Sequence, residues 1–197
     1  MKDFYLVTVI GLAVGALFLL PLKGVGFSLT PWIVIGSLVG FTLLAPLAFG
    51  VFRFLSRFWR PMEQIGKFAA VGTLNSLFDL AIVNFLILLT GVTAGWLFSL
   101  FKALSFFMAS ANSYAWNKFW TFQSRSPADW REYSYFIFFT LLSVFLNVVA
   151  ASFVVDFLGA PVGIGLELWA NIGALTATAV SLTFNFFLYK KVVFKAK

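Results

Sequence analysis

The sequence contains no cysteine and no histidine. Those absences exclude disulfides, thiol nucleophiles, zinc sites and the usual neutral-pH proton shuttle. Charge is scarce as well. Asp, Glu, Lys and Arg make up 11% of the 197 residues, against about 25% in a soluble domain. Phosphate loops, acidic metal clusters and nucleophile–base pairs are all missing. The reading is of a non-enzyme that needs no cofactor. No soluble stretch longer than a loop leaves room for a separate catalytic domain.

What is present is apolar. Hydrophobic residues account for 61% and aromatic residues for 20%, a composition that belongs to an integral membrane protein. The net charge of +7 is better matched by anionic lipid and a positive-inside topology than by nucleic acid. Six segments have the roughly 20 apolar residues that a span needs. They lie near 4–22, 31–52, 65–89, 96–119, 133–158 and 166–189. The fold expected is all-α and integral to the membrane. The first segment is not read as a cleaved leader, because "LLPLKGVGFS" lacks a small-x-small cleavage site.

Basic residues set the orientation. Arg53, Arg57, Arg60 and Lys67 lie between spans two and three, and Lys118, Arg125 and Arg131 between spans four and five. Lys190, Lys191, Lys195 and Lys197 follow span six, while the loops "TGVTAG" and "GAPVGIG" carry no charge. Of the 14 Lys and Arg, all except Lys23 and Lys102 fall on one side. Both termini are therefore expected in the cytoplasm. Trp59, Trp120 and Trp130 mark the inner boundary and Trp32, Trp96 and Trp169 the outer one, as an aromatic belt does. The segment "ADWREYSYF" is read as lying in the interface before span five.

"RFLSRFWRPMEQIGK", residues 53–67, reads as a linker. Residues 1–56 then form an added N-terminal hairpin, and residues 63–197 a four-helix unit. That unit looks doubled. A shift of 72 residues lays Asn75 on Asn147, Phe85 on Phe157, Lys118 on Lys190 and Phe122 on Phe194. Each copy holds two spans, so the copies would be parallel, with a substrate path between them.

Polar residues inside apolar spans are costly and default to functional candidates. Asp79 lies 12 residues beyond Lys67, roughly 18 Å along the helix. Gly72, Asn75 and Asp79 share one helix face, which should turn inward. Lys102 lies 16 residues before Lys118 on the neighbouring span, at a depth within about 6 Å of Asp79. An Asp79–Lys102 ion pair is therefore allowed, either as a packing device or as a polar site. In the second copy Ala151 and Ala174 stand at the equivalent positions, which confines the charged site to the first. Asn75, Asn84, Asn112, Asn147, Asn171 and Asn185 divide between interhelical bonds and a cavity lining. Ser105 and Ser110 belong to a small-residue packing face, and Asp156 and Glu167 to the outer boundary.

Three stretches resemble a known family. "KFAAVGTLNSLFDLAIVNFLI" (67–87) is similar to the first span of the GtrA-like family, and "FKALSFFMASANSYAWNKFWTF" (101–122) to its second span with its closing Asn-basic-x-Trp-Thr-Phe signature. "NFFLYKKVVF" (185–194) resembles the weaker copy, though Tyr189 and Val192–Val193 depart from the pattern. The resemblance covers about 63–195, and the first two spans fall outside it. It implies translocation of a polyprenyl-phosphate-linked sugar across a bacterial or archaeal cytoplasmic membrane, for cell-surface polysaccharide or glycan modification. Under that reading Lys118 and Lys190 would collect the phosphate, Asn117 would join Lys118 as a head-group contact at the cytoplasmic entrance, and Trp120 would stack on the sugar. Asn75, Asp79, Lys102, Asn112, Asn147 and Asn185 would line the route. Implied partners are the sugar lipid itself, anionic lipids, a membrane glycosyltransferase and a second copy of the chain. The alternatives are a scaffold or anchor for such a glycosyltransferase and, third, a small multidrug-type transporter. A cation exporter fits poorly because Asp79 stands next to a lysine.

Overall fold

Pro31 and Pro61 each open a helix, the position where a missing N–H goes unnoticed. Thr30 caps the first of these through its hydroxyl, which accepts from the Ile33 amide at 3.4 Å. Asp129 caps a later helix, accepting from Glu132 N–H at 2.7 Å. Gly91, at φ 71°, ends another in the left-handed conformation that glycine adopts without strain. A computed structural model describes residues 1–163 and 166–194, and for residues 166–168, 170 and 171 the backbone alone. Of the positions singled out in the sequence, the side chains of Glu167 and Asn171, together with Lys195 and Lys197, lie outside the described residues.

The protein is an all-α membrane protein. Its six helices are α1 (Lys2–Gly24), α2 (Pro31–Leu55), α3 (Pro61–Thr90), α4 (Gly95–Trp116), α5 (Trp130–Ser152) and α6 (Leu166–Leu188). No strand occurs among the described residues. Five of the helices are long and apolar enough to cross a membrane. The exception is α4, which has the length at 22 residues but interrupts its apolar run with Ser99, Lys102, Ser105, Ser110, Asn112 and Ser113. The sequence predicts six spans, and the difference falls on a helix that carries two of the candidate residues, Lys102 and Asn112.

Two other expectations change. The stretch 53–67 is mostly helix: α2 continues to Leu55 and α3 starts at Pro61, so the connection shrinks to 56–60. "ADWREYSYF" supplies the Asp129 cap and the first turns of α5, with no separate interfacial segment.

Contacts divide the chain into two compact units, Met1–Gln123 and Ser124–Lys197. In the first, α1 packs on α2 and α3, and α3 packs on α4. The core is Val7, Ile10, Val14, Phe49, Val71, Leu74 and Trp120. Two glycines one turn apart let α1 meet α2 at backbone distance. A Cβ on Gly11 would collide with the Phe41 carbonyl oxygen, and one on Gly15 would lie 2.7 Å from the Ser37 carbonyl oxygen. This is the small-xxx-small packing of membrane helices, reinforced by the Ser37 hydroxyl donating to Gly15 O at 2.7 Å. In the second unit α5 packs on α6. Phe136 stacks on Tyr189 with ring centres 4.5 Å apart, and Tyr189 shares a 2.5 Å hydrogen bond with Thr140.

α5 runs on into a π stretch, Phe153–Leu158, and both α4 and α6 end in a widened turn, Asn117–Thr121 and Tyr189–Val193. Each is closed by a bond reaching five residues back, Phe122 N–H to Asn117 O and Phe194 N–H to Tyr189 O, both at 2.8 Å. The 72-residue shift that aligns the two copies carries one of these π turns onto the other. The exposed tryptophans Trp32, Trp59, Trp96 and Trp130 suit a belt, but Trp120 is buried, and the Trp169 indole donates to Val154 O at 3.0 Å.

Candidate functional site

The polar residues of α3 and α4 meet each other. Asp79 Oδ2 lies 2.7 Å from the Lys102 ammonium, and its Oδ1 accepts the Ser105 hydroxyl at 2.5 Å. One turn earlier on α3, Asn75 Oδ1 accepts from Asn112 Nδ2 at 2.8 Å. The Asn75 amide nitrogen donates to Val71 O at 2.8 Å. Four of the expected site residues, with Ser105 added, thus form a two-rung polar seam along one helix pair.

The rungs differ in access. Asn75 is buried, whereas the Lys102 side chain is 44% exposed and that of Asp79 25%. A lone charge at the centre of a bilayer costs about 2.5–3.5 kcal/mol on insertion scales. Pairing it with an opposite charge and a hydroxyl offsets part of that cost. The charged rung can therefore sit in an apolar pair of helices and still face outward.

At the far end of α4 the π turn gathers Asn117, Lys118, Trp120 and Thr121, all buried. Asn117 donates to Ser113 O at 3.0 Å and to Ser113 Oγ at 3.2 Å. Its Oδ1 and the Thr121 hydroxyl have no hydrogen-bond partner among the described residues. Lys118 Nζ lies 5.8 Å from the centre of the Tyr114 ring. Gln64 of α3 donates to Thr121 O at 3.1 Å. The chain leaves this end through Gln123, held at φ 50°.

Trp120 faces inward. Its indole N–H donates to Asp3 Oδ1 at 2.9 Å, while Asp3 Oδ2 lies 2.8 Å from the buried Lys67 ammonium. Lys67 Nζ also sits 5.8 Å from the centre of the Trp120 rings and 3.9 Å from Glu63. The surface expected to stack on a sugar is thus packed against the rest of its own unit.

In the second unit, Asn147 donates to Ser181 Oγ at 3.2 Å. It ties α5 to α6 as its counterpart Asn75 ties α3 to α4. Asn185 Oδ1 is buried without a partner among the described residues. Lys190 is exposed, its Nζ 5.5 Å from the Phe186 ring centre.

The sequence pattern of the family described as "GtrA/DPMS, transmembrane domain" matches residues 67–194. The chain belongs to that family. No curated protein and no solved structure matches it. The GtrA/DPMS match opens at Lys67 and closes at Phe194, so it contains the seam, both π turns and Lys67, but neither α1 nor α2. Of the ten residues the sequence offered as a site, four lie in the seam, three on the first π turn, and three in the second unit. What sequence reasoning missed is Ser105 as a partner of Asp79, and the whole Asp3–Lys67–Trp120 cluster. Asp3 gave one usable signal, as one of only seven acids in the chain.

Proposed function

We propose that this GtrA/DPMS protein translocates a polyprenyl-phosphate-linked sugar across a bacterial or archaeal cytoplasmic membrane. The observation that carries the reading is the α3–α4 seam. A sugar needs hydrogen-bonding groups at bilayer depth, whereas its polyprenyl chain can remain in lipid. Asp79, Lys102 and Ser105 supply donors and acceptors on a rung that is partly exposed. Lys118 and Lys190, at corresponding places on the two π turns, remain candidates for the phosphate, with both termini on the cytoplasmic side. Anionic lipids, a glycosyltransferase and a second copy of the chain are the partners this reading brings with it. No step of it requires a chemical reaction or a cofactor.

Reconstitution into liposomes tests it. A labelled polyprenyl-phosphate hexose should exchange between leaflets faster than in empty vesicles. Asp79→Asn and Lys102→Ala should each slow that exchange at least tenfold, about 1.4 kcal/mol of barrier. Wild-type exchange at the empty-vesicle rate overturns the function; wild-type rates in both variants overturn the site.

A second reading also has an observation behind it. Asp79, Lys102, Asn75 and Asn112 all bond within the protein, as they would in a scaffold that only holds a glycosyltransferase in place. That reading calls for copurification of the two proteins and undiminished function in Asp79→Asn.

A further inference from the structure

The buried cluster at the start of α3 is built to hold an anion. Lys67 contributes an ammonium and Trp120 an indole N–H. A single carboxylate, that of Asp3, takes one with each oxygen at 2.8 and 2.9 Å. A cation and a neutral N–H aimed at adjacent oxygens of one group will serve a phosphate as well as a carboxylate. Both donors belong to the family-matched segment 67–194. The acids within 4 Å of Lys67 do not: Asp3 and Glu63 lie before the segment begins. In this chain, therefore, the anion that fills the cradle is lent by the added hairpin.

An apolar cavity of about 190 Å³ lies among the same helices. Ile10 and Val14 of α1, Phe41 and Phe49 of α2, and Ala70 and Thr73 of α3 line it. On α3 its lining begins at Gly66, next to Lys67 in the chain. A cationic cradle and an apolar cavity that meet at consecutive residues of α3, Lys67 and Gly66, complement a ligand with one phosphate and a hydrocarbon tail.

We propose that Lys67 and the Trp120 indole form a docking station for the phosphate of a prenyl-type lipid, with its first isoprene units in the α1–α2–α3 cavity, and that Asp3 occupies the station until the lipid displaces it. This rests on the translocase reading for the identity of the lipid, but binding here does not require that the lipid cross. Ligand and Asp3 compete for one site, so each must weaken the other by the same factor.

The absence of native cysteine allows a direct test. Lys2→Cys places the sole thiol beside Asp3. The full-length protein is embedded in phosphatidylcholine nanodiscs, and maleimide labelling is timed with polyprenyl phosphate, with uncharged polyprenol, or with inorganic phosphate. Polyprenyl phosphate should accelerate labelling at least about fivefold, the low end of ordinary coupling, and the two controls should not. Asp3→Asn should tighten polyprenyl phosphate binding, and Lys67→Met in the Lys2→Cys background should abolish the acceleration. Unchanged labelling with polyprenyl phosphate overturns the proposal, and so does equal acceleration by polyprenol. Acceleration by inorganic phosphate alone overturns the assignment to a lipid. The labelling arm needs only the Lys2→Cys protein, so it decides the matter even if Lys67→Met fails to fold. A labelling response without leaflet exchange keeps the station and removes the translocase; exchange without a response does the reverse.

Discussion

At the scale of single residues, the question is whether Asp79 and Lys102 hold the helices or handle a ligand. A reversed pair, Asp79→Lys with Lys102→Asp, separates the two roles. Breaking a buried ion pair costs about 3–5 kcal/mol, and Lys102, with its side chain 44% exposed, should fall below that range. Reversal restores the attraction, so thermal stability in detergent should return to within about 1 kcal/mol of wild type, closer than either single variant. It also takes the carboxylate away from the Ser105 hydroxyl that now donates to it. Leaflet exchange should therefore stay at least tenfold down, about 1.4 kcal/mol. Full recovery of both would make the pair a packing device. The pairing itself was legible in the sequence, because two ionisable groups at similar depth in adjacent helices have few other ways to be satisfied. Asp3 was not legible: it lies more than sixty positions from Lys67, and no local pattern joins them.

Among the elements, the contact of α1 with α2 depends on Gly11 and Gly15. Gly11→Val should destabilise the protein by about 1–3 kcal/mol, the usual range for overpacking, read as a lowered unfolding midpoint in detergent. Gly40→Ala on α2, where a Cβ meets nothing within 4 Å, should change it by less than about 0.5 kcal/mol. Helix number and approximate limits could be read from hydropathy because a span needs a long apolar run. The π turns could not be read that way. Each inserts one extra residue into a helix and so rotates the side chains beyond it by about 100°. Trp120 was placed in a belt by its position and against a sugar by the family resemblance, whereas the structure sets it inside the first π turn and turns it into the core. The polar residues of α4 break its apolar run, and the same residues supply its half of the seam.

For the molecule as a whole, the orientation deduced from Lys and Arg can be measured with single cysteines. In intact cells, Thr93→Cys and Pro161→Cys should react with a membrane-impermeant maleimide. Ser56→Cys and Ser126→Cys should react only after permeabilisation. The opposite pattern would place the termini outside. Within the first unit, α1 and α3 run in the same direction. Asp3 reaches Lys67 near one end, and at the other Gly24 lies so close to Asn84 that a side chain there would strike its amide oxygen. Between these ends the Gly11–Gly15 stretch is pressed against α2. Releasing Asp3 would thus free no whole helix. Only the residues ahead of Gly11 could swing, a lever of about two and a half turns pivoting on glycine, whose travel is capped by its own length however strongly a ligand pushes at its tip.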